Sequence, residues 1–209
     1  MTGPDNDTRQ APLRVGALVF PGFEVLDLFG PVELLHQTDG RFSIRIVAAQ
    51  PGEVASAQNV RIVADEGFGD AGEFDILLVP GGIGTRTEVA NPVLLDWLRR
   101  MEPQARHVAS VCTGSALLAK AGLLDGHRAT SNKIAFDWVV GQGPSVQWVR
   151  RARWVEDGKF FTSSGISAGM DMTLALVERL FGRPVSEEAA RRAEYQWNSK
   201  SGNDPFAAA

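Results

Sequence analysis

Arg106-His107-Val108-Ala109-Ser110-Val111-Cys112-Thr113-Gly114-Ser115-Ala116-Leu117-Leu118-Ala119-Lys120-Ala121-Gly122 opens as a buried strand, breaks at small residues and continues as a helix closed by glycine. The pattern predicts a strand over Arg106 to Val111, a tight turn, and a helix over Ser115 to Ala121. It sets Cys112, the only cysteine in the chain, at the end of the strand. A lone cysteine is commonly an inert small hydrophobe. At a helix N-terminus, however, a thiolate is stabilised by unpaired amide N–H groups and by the positive end of the dipole. The surroundings of Cys112 therefore predict a nucleophile on an elbow.

Upstream, Leu13 to Phe20 reads as a buried strand ended by Pro21-Gly22, Phe23 to Gln37 as a helix or a turn leading into one, and Arg41 to Ala48 as a strand. Phe74 to Val79 reads as a central strand stopped by Pro80-Gly81-Gly82-Ile83-Gly84. Asn91 caps a helix that Pro92 opens and that runs to Met101. Downstream, a short strand is predicted near Ala129 to Ser131 and a helix over Lys133 to Val140. Gln147 to Val155 and Lys159 to Ser163 form a hairpin through Asp157-Gly158. Met170, Leu174, Val177 and Phe181 make one core stripe of a helix from Ser167 to Phe181, and a last helix runs from Ser186 towards Trp197, with Glu187 and Glu188 complementing its dipole. Phe206 in the tail is one aromatic available for docking. Strands alternating with helices predict an α/β fold, a three-layer sandwich with a mainly parallel central sheet. Residues 13–206 read as one α/β domain and 1–12 as a disordered tail.

A chain of 209 residues buries roughly 70% of its unfolded surface and needs neither disulfide nor metal to hold a core. A net charge of −4 argues against nucleic acid as a partner. The polar first dozen residues carry no signal-peptide pattern and no apolar run is long enough to span a membrane, so a cytoplasmic setting is expected, with no membrane partner. A single cysteine agrees with a reducing compartment. No metal site and no cofactor are expected.

Reactive groups in parallel sheets collect at the carboxyl ends of the strands. Three loops fall there: Pro21 to Pro31, Pro80 to Gly84, and Val111 to Ser115. The first holds Glu24 and Asp27 among Val25, Leu26, Leu28 and Phe29. Desolvation there pushes a carboxyl towards its neutral form, which can donate a hydrogen bond to a thiolate. The second offers amides at Gly82, Ile83 and Gly84, and the third adds Thr113 beside the thiol. Together they supply a nucleophile, a proton donor or acceptor, and an anion cradle. Taken singly, Asp27 also reads as a helix cap and Gly81-Gly82 as a strand-ending turn.

Phe20 to Pro31, Pro80 to Gly84, Ser110 to Ser115, and the run Ser163-Ser164-Gly165-Ile166-Ser167-Ala168-Gly169 with Asp171 resemble the ThiJ/PfpI superfamily, and within it the isonitrile hydratase branch. The resemblance covers Leu13 to Phe206. It implies a flavodoxin-like, glutamine-amidotransferase-like sandwich, a cysteine on a strained nucleophile elbow, and a homodimer. Position by position, it makes Cys112 the nucleophile, Asp27 the carboxyl that touches it, and Thr113 its neighbour.

Many members of that superfamily place a histidine shortly after an Ala-Thr pair. This chain reads Ala129-Thr130-Ser131-Asn132-Lys133 there, and neither Asn132 nor Lys133 can serve as an imidazole base. That argues against a Cys-His hydrolase. Whether Lys133 points in, stabilising a thiolate by charge, or out, leaving Asp27 and backbone amides, stays open at this stage. His36, His107 and His127 are not expected to act, and Arg150, Arg151 and Arg153 read as a solvated strand edge. The expected activity is hydration of an isonitrile through a thioimidate, giving an N-substituted formamide. Phe23, Leu26, Phe29 and Ile166 would line the pocket with Gly82, Ile83 and Gly84. The alternatives are a glyoxalase-like enzyme acting on 2-oxoaldehydes, and a cysteine redox sensor or ligand-binding protein. Ligand-sensing domains of this kind precede a helix-turn-helix in some regulators, and no such domain is expected after Ala209.

Overall fold

The computed structural model describes residues 11–202 and 204–207; the tail expected over 1–12 falls, through residue 10, outside the described residues. The strands are β1 (Leu13–Leu18), β2 (Phe42–Ala48), β3 (Gly52–Ala55), β4 (Arg61–Ala64), β5 (Glu66–Gly67), β6 (Ile76–Val79), β7 (His107–Ser110), β8 (Arg128–Ala129), β9 (Gln147–Trp148), β10 (Trp154–Asp157) and β11 (Phe160–Ser163). The helices are α1 (Val25–His36), α2 (Thr85–Glu88), α3 (Pro92–Met101), α4 (Gly114–Lys120), α5 (Phe136–Val140), α6 (Ala168–Phe181) and α7 (Arg183–Arg192).

The fold is α/β, with a seven-stranded sheet in the order β10-β11-β7-β6-β1-β2-β5. All its pairings are parallel except β10 with β11. Every residue of β6 is buried, as a strand covered on both faces requires. Chain order reverses on either side of β1, so the loops after β1 and β6 part and open a crevice. Val79 lies level with Ser110, and Ser110 with Thr162, so β6, β7 and β11 deliver their loops to one end of the sheet. Asn91 accepts from the amides of Val93 and Leu94 and caps α3 as expected.

Several boundaries move, each for a local reason. The single strand expected over Gln147 to Val155 is two, because Val149 and Ala152 turn their carbonyls to Thr130 Oγ1, at 2.8 and 3.3 Å, and Lys133 Nζ also takes Ala152 O at 2.6 Å. β9 consequently pairs with β8, and only β10 enters the hairpin. The last helix starts at Arg183 and ends at Arg192, because Gly182, at φ 86°, closes α6 and Pro184 opens the next turn. The antiparallel pair β3 and β4 was not foreseen. Arg153 is no solvated edge: its side chain is 7% exposed and pairs with fully buried Asp171. Among the described residues, no helix is long and apolar enough to cross a membrane.

Candidate active site

The loops after β1, β6, β7 and β11, four neighbouring parallel strands, converge on Cys112. Cys112 has φ 56°, a left-handed backbone that costs a side-chain-bearing residue energy. Two hydroxyls hold it there, with Ser131 Oγ donating to the Cys112 carbonyl at 2.8 Å and Ser115 Oγ at 3.2 Å. The Cys112 N–H is tied to Ser164 O at 3.3 Å, which fixes the loop after β11 against the elbow. Gly165 is required beside the thiol: a Cβ there would stand 2.9 Å from Cys112 Sγ and collide with the Asn132 amide.

Asp27, in the first turn of α1, is fully buried. Its Oδ2 accepts from the Gly81 amide at 3.0 Å. Its Oδ1 is buried without a hydrogen-bond partner among the described residues, and the Cys112 thiol acts on the carboxyl as a whole. Burial pushes the Asp27 carboxyl up to about 8, with the nearby charge of Glu24 adding to the rise and the Gly81 amide opposing it. Gly81 permits this approach, since a Cβ would lie 2.5 Å from Thr113 N and 2.9 Å from Asp27 Oδ2.

Burial also pushes the Cys112 thiol up, and the adjacent Asp27 charge pushes in the same direction. The Thr113 amide, the Asn132 side-chain amide and the Thr113 hydroxyl act against this and do not overcome it. That direction runs against the thiolate that a helix dipole alone would favour. Cys112 is 6% exposed, and α4, which follows it, has seven residues. Both shifts run in the same direction, favouring the protonated forms of the pair.

The glycine cradle is also revised. Gly82 N donates to Thr113 Oγ1 at 3.1 Å and Gly84 N to Gly22 O at 3.0 Å, which leaves Ile83 N–H as the amide of the three with no partner among the described residues. Thr113 Oγ1 also receives the Thr85 hydroxyl at 3.1 Å, so its role is to bind the loop after β6 to the elbow. Phe23 is wholly enclosed in the core and offers no lining surface. Leu26, Phe29, Ile83 and Ile166 are exposed apolar side chains, each within two residues of a group at the thiol. Glu24 accepts from Gln58 Nε2 at 2.5 Å, away from any direct bond to the sulfur.

Asn132 points in and Lys133 points away, its ammonium held by Thr130 Oγ1 at 2.9 Å and Ala152 O at 2.6 Å. His107 meets Phe161 edge-on, His127 pairs with Asp157 at 3.1 Å, and neither acts on the thiol. Among the described residues no three His, Cys, Asp or Glu side chains gather as a metal would require. Ser115 and Ser131 were missed in the sequence because their partner is a backbone carbonyl, which no motif displays.

A cysteine at positive φ on a strand-to-helix turn, ringed by loops from four parallel strands, defines an α/β protein of the cysteine-elbow type. The chain belongs to the DJ-1/PfpI family, whose model matches residues 13–179. Isonitrile hydratase from Pseudomonas putida is 34% identical over 183 residues, covering 88% of this chain and 78% of that protein. The crystal structure of a ThiJ/PfpI family protein from Pseudomonas syringae superposes with a TM-score of 0.82 at 32% identity, covering 94% of this chain and 81% of that one. The HTH-type transcriptional regulator GbdR from Pseudomonas aeruginosa is 30% identical over 190 residues, 88% of this chain, and the chain spans 51% of its length.

Proposed function

We propose that this protein hydrates isonitriles, with Cys112 as nucleophile and Asp27 as the group that carries its proton. The observation that carries the reading is the fully buried Asp27 carboxyl, which the Cys112 thiol acts on and whose Oδ1 has no hydrogen-bond partner among the described residues. A carboxyl pushed up to about 8 is a strong base once ionised, and it loses its proton near working pH. The likeness to an enzyme named isonitrile hydratase supports the same substrate class.

The Asp27 carboxylate takes the thiol proton as sulfur attacks the terminal carbon of the isonitrile. It returns that proton to the same carbon. One S–H bond breaks, one C–S and one C–H bond form, and the product is a thioimidate. Water then adds to this carbon while the nitrogen takes up a proton. The C–S bond breaks as the hydroxyl proton passes through Asp27 to the departing sulfur, leaving an N-substituted formamide and the free thiol. No imidazole enters these steps, in keeping with a site that holds none against the sulfur. Asn132 and the Thr113 amide steady the charge on sulfur, and Ile83 N–H is the amide available to polarise the substrate.

The experiment is to incubate purified protein with simple alkyl and aryl isonitriles. Formamide forms with wild type and not with Cys112→Ala; absence of formamide, or full activity in Cys112→Ala, overturns the proposal. A thiol that is buried and shifted upward disfavours a peroxide sensor, which needs an accessible thiolate. A small-molecule substrate, a homodimer and a cytoplasmic setting belong to the same proposal, and light scattering reads the oligomeric state.

A further inference from the structure

One cation near the elbow has no carboxylate partner among the described residues. Arg86 follows Thr85, whose hydroxyl reaches the Thr113 hydroxyl at 3.1 Å, so its backbone is anchored beside Cys112. Its guanidinium lies over the Trp138 ring, 3.3 Å from the centroid. Trp138 belongs to α5, the helix that follows Asn132, whose amide acts on the sulfur. The stack therefore joins the loop after β6, which bonds to Thr113, to the segment after β8, whose Asn132 acts on the thiol.

Stacking on an aromatic face fixes a guanidinium while leaving its N–H fork free. Among the described residues, the Arg86 guanidinium makes no ion pair and no hydrogen bond, whereas Arg99, Arg150, Arg183 and Arg192 each hold a carboxylate. Partial burial pushes the Arg86 guanidinium down, and the charge of a Cys112 thiolate, once formed, opposes that. A braced, unpaired fork next to a reactive sulfur offers the bidentate geometry that carboxylates and similar anions fit.

We propose that Arg86, held by Trp138, is a specificity determinant that selects substrates carrying a carboxylate or comparable small anion near the reacting carbon. The inference rests on the proposed addition at Cys112, and its test separates the two. Cys112 is alkylated with iodoacetate and with iodoacetamide, which transfer the same methylene but differ in charge, in wild type, Arg86→Gln and Arg86→Lys, followed by intact mass. The iodoacetate-to-iodoacetamide rate ratio falls about fivefold in Arg86→Gln, the upper end for a single solvent-accessible charge, and recovers only in part in Arg86→Lys, which restores the charge without the planar fork. An unchanged ratio overturns the proposal, as do both rates moving together, since Arg86 would then act on the thiol alone. A second arm compares isocyanoacetate with its ethyl ester. Preference for the carboxylate that Arg86→Gln removes supports the proposal, and equal turnover overturns it while leaving hydration intact. An Arg86-dependent alkylation ratio with no formamide from either compound overturns hydration and keeps anion selection.

Discussion

Asp27 and Asp171 are both fully buried carboxyls, and they are treated in opposite ways. Asp171 Oδ2 takes Arg153 Nε at 2.6 Å, while its Oδ1 takes the Tyr195 hydroxyl at 3.0 Å and the Asn198 amide at 2.8 Å. Asp27 receives one amide, and its second oxygen has no hydrogen-bond partner among the described residues. Burial is equal, so partners decide the outcome. A saturated carboxylate with a guanidinium ties α6 to β10 and to the segment around Asn198. An under-supplied one holds a proton near neutral pH and can pass it on.

Removing the saturated member should have the largest effect on stability. Asp171→Ala leaves Arg153 buried without its main partner, and chemical denaturation should show a loss of about 3–5 kcal/mol. Loss below about 1 kcal/mol would erase the contrast. Asp27→Asn should act in the other direction, and only over a defined pH window. The folded carboxyl is raised from 3.8 to about 8, so between those values the native state binds more protons than the unfolded chain. Wild-type stability is therefore full below the lower value and declines as pH climbs to the upper one. Asp27→Asn lacks that slope and is the more stable protein above the window. Urea titrations across the window read this directly, and a slope that persists in Asp27→Asn would contradict it. Tyr195→Phe removes one donor from Asp171 and leaves the guanidinium, which should cost about 2 kcal/mol. Ser131→Ala releases one of the two hydroxyls on the Cys112 carbonyl, with an expected cost of about 1 kcal/mol and slower formamide production.

Much of this contrast was legible in the sequence on the Asp27 side and almost none on the Asp171 side. The elbow at Cys112, the buried central strands and the apolar setting of Asp27 are contiguous in the chain, so short-range pattern reveals them. Arg153 reads as surface because its neighbours Arg150 and Arg151 are charged, and the carboxylate that buries it lies 18 residues away on a helix. The upward shift of the Cys112 thiol is not legible in the sequence for a related reason. Helix-dipole stabilisation follows from local order, whereas the burial that outweighs it comes from four loops meeting in space. Phe23 was placed in the pocket by its motif and sits in the core by its packing. Arg86 carried no signal until Trp138 was found beneath it.

The central claim is that Asp27 governs the reactivity of Cys112 through the proton between them. The rate of Cys112 alkylation by neutral iodoacetamide against pH tests it most directly, in wild type and in Asp27→Asn. The predicted wild-type profile rises with an inflection near 8, where the pair loses its first proton, and Asp27→Asn lacks that inflection and reacts only at higher pH. Superimposable profiles for the two proteins would contradict the account.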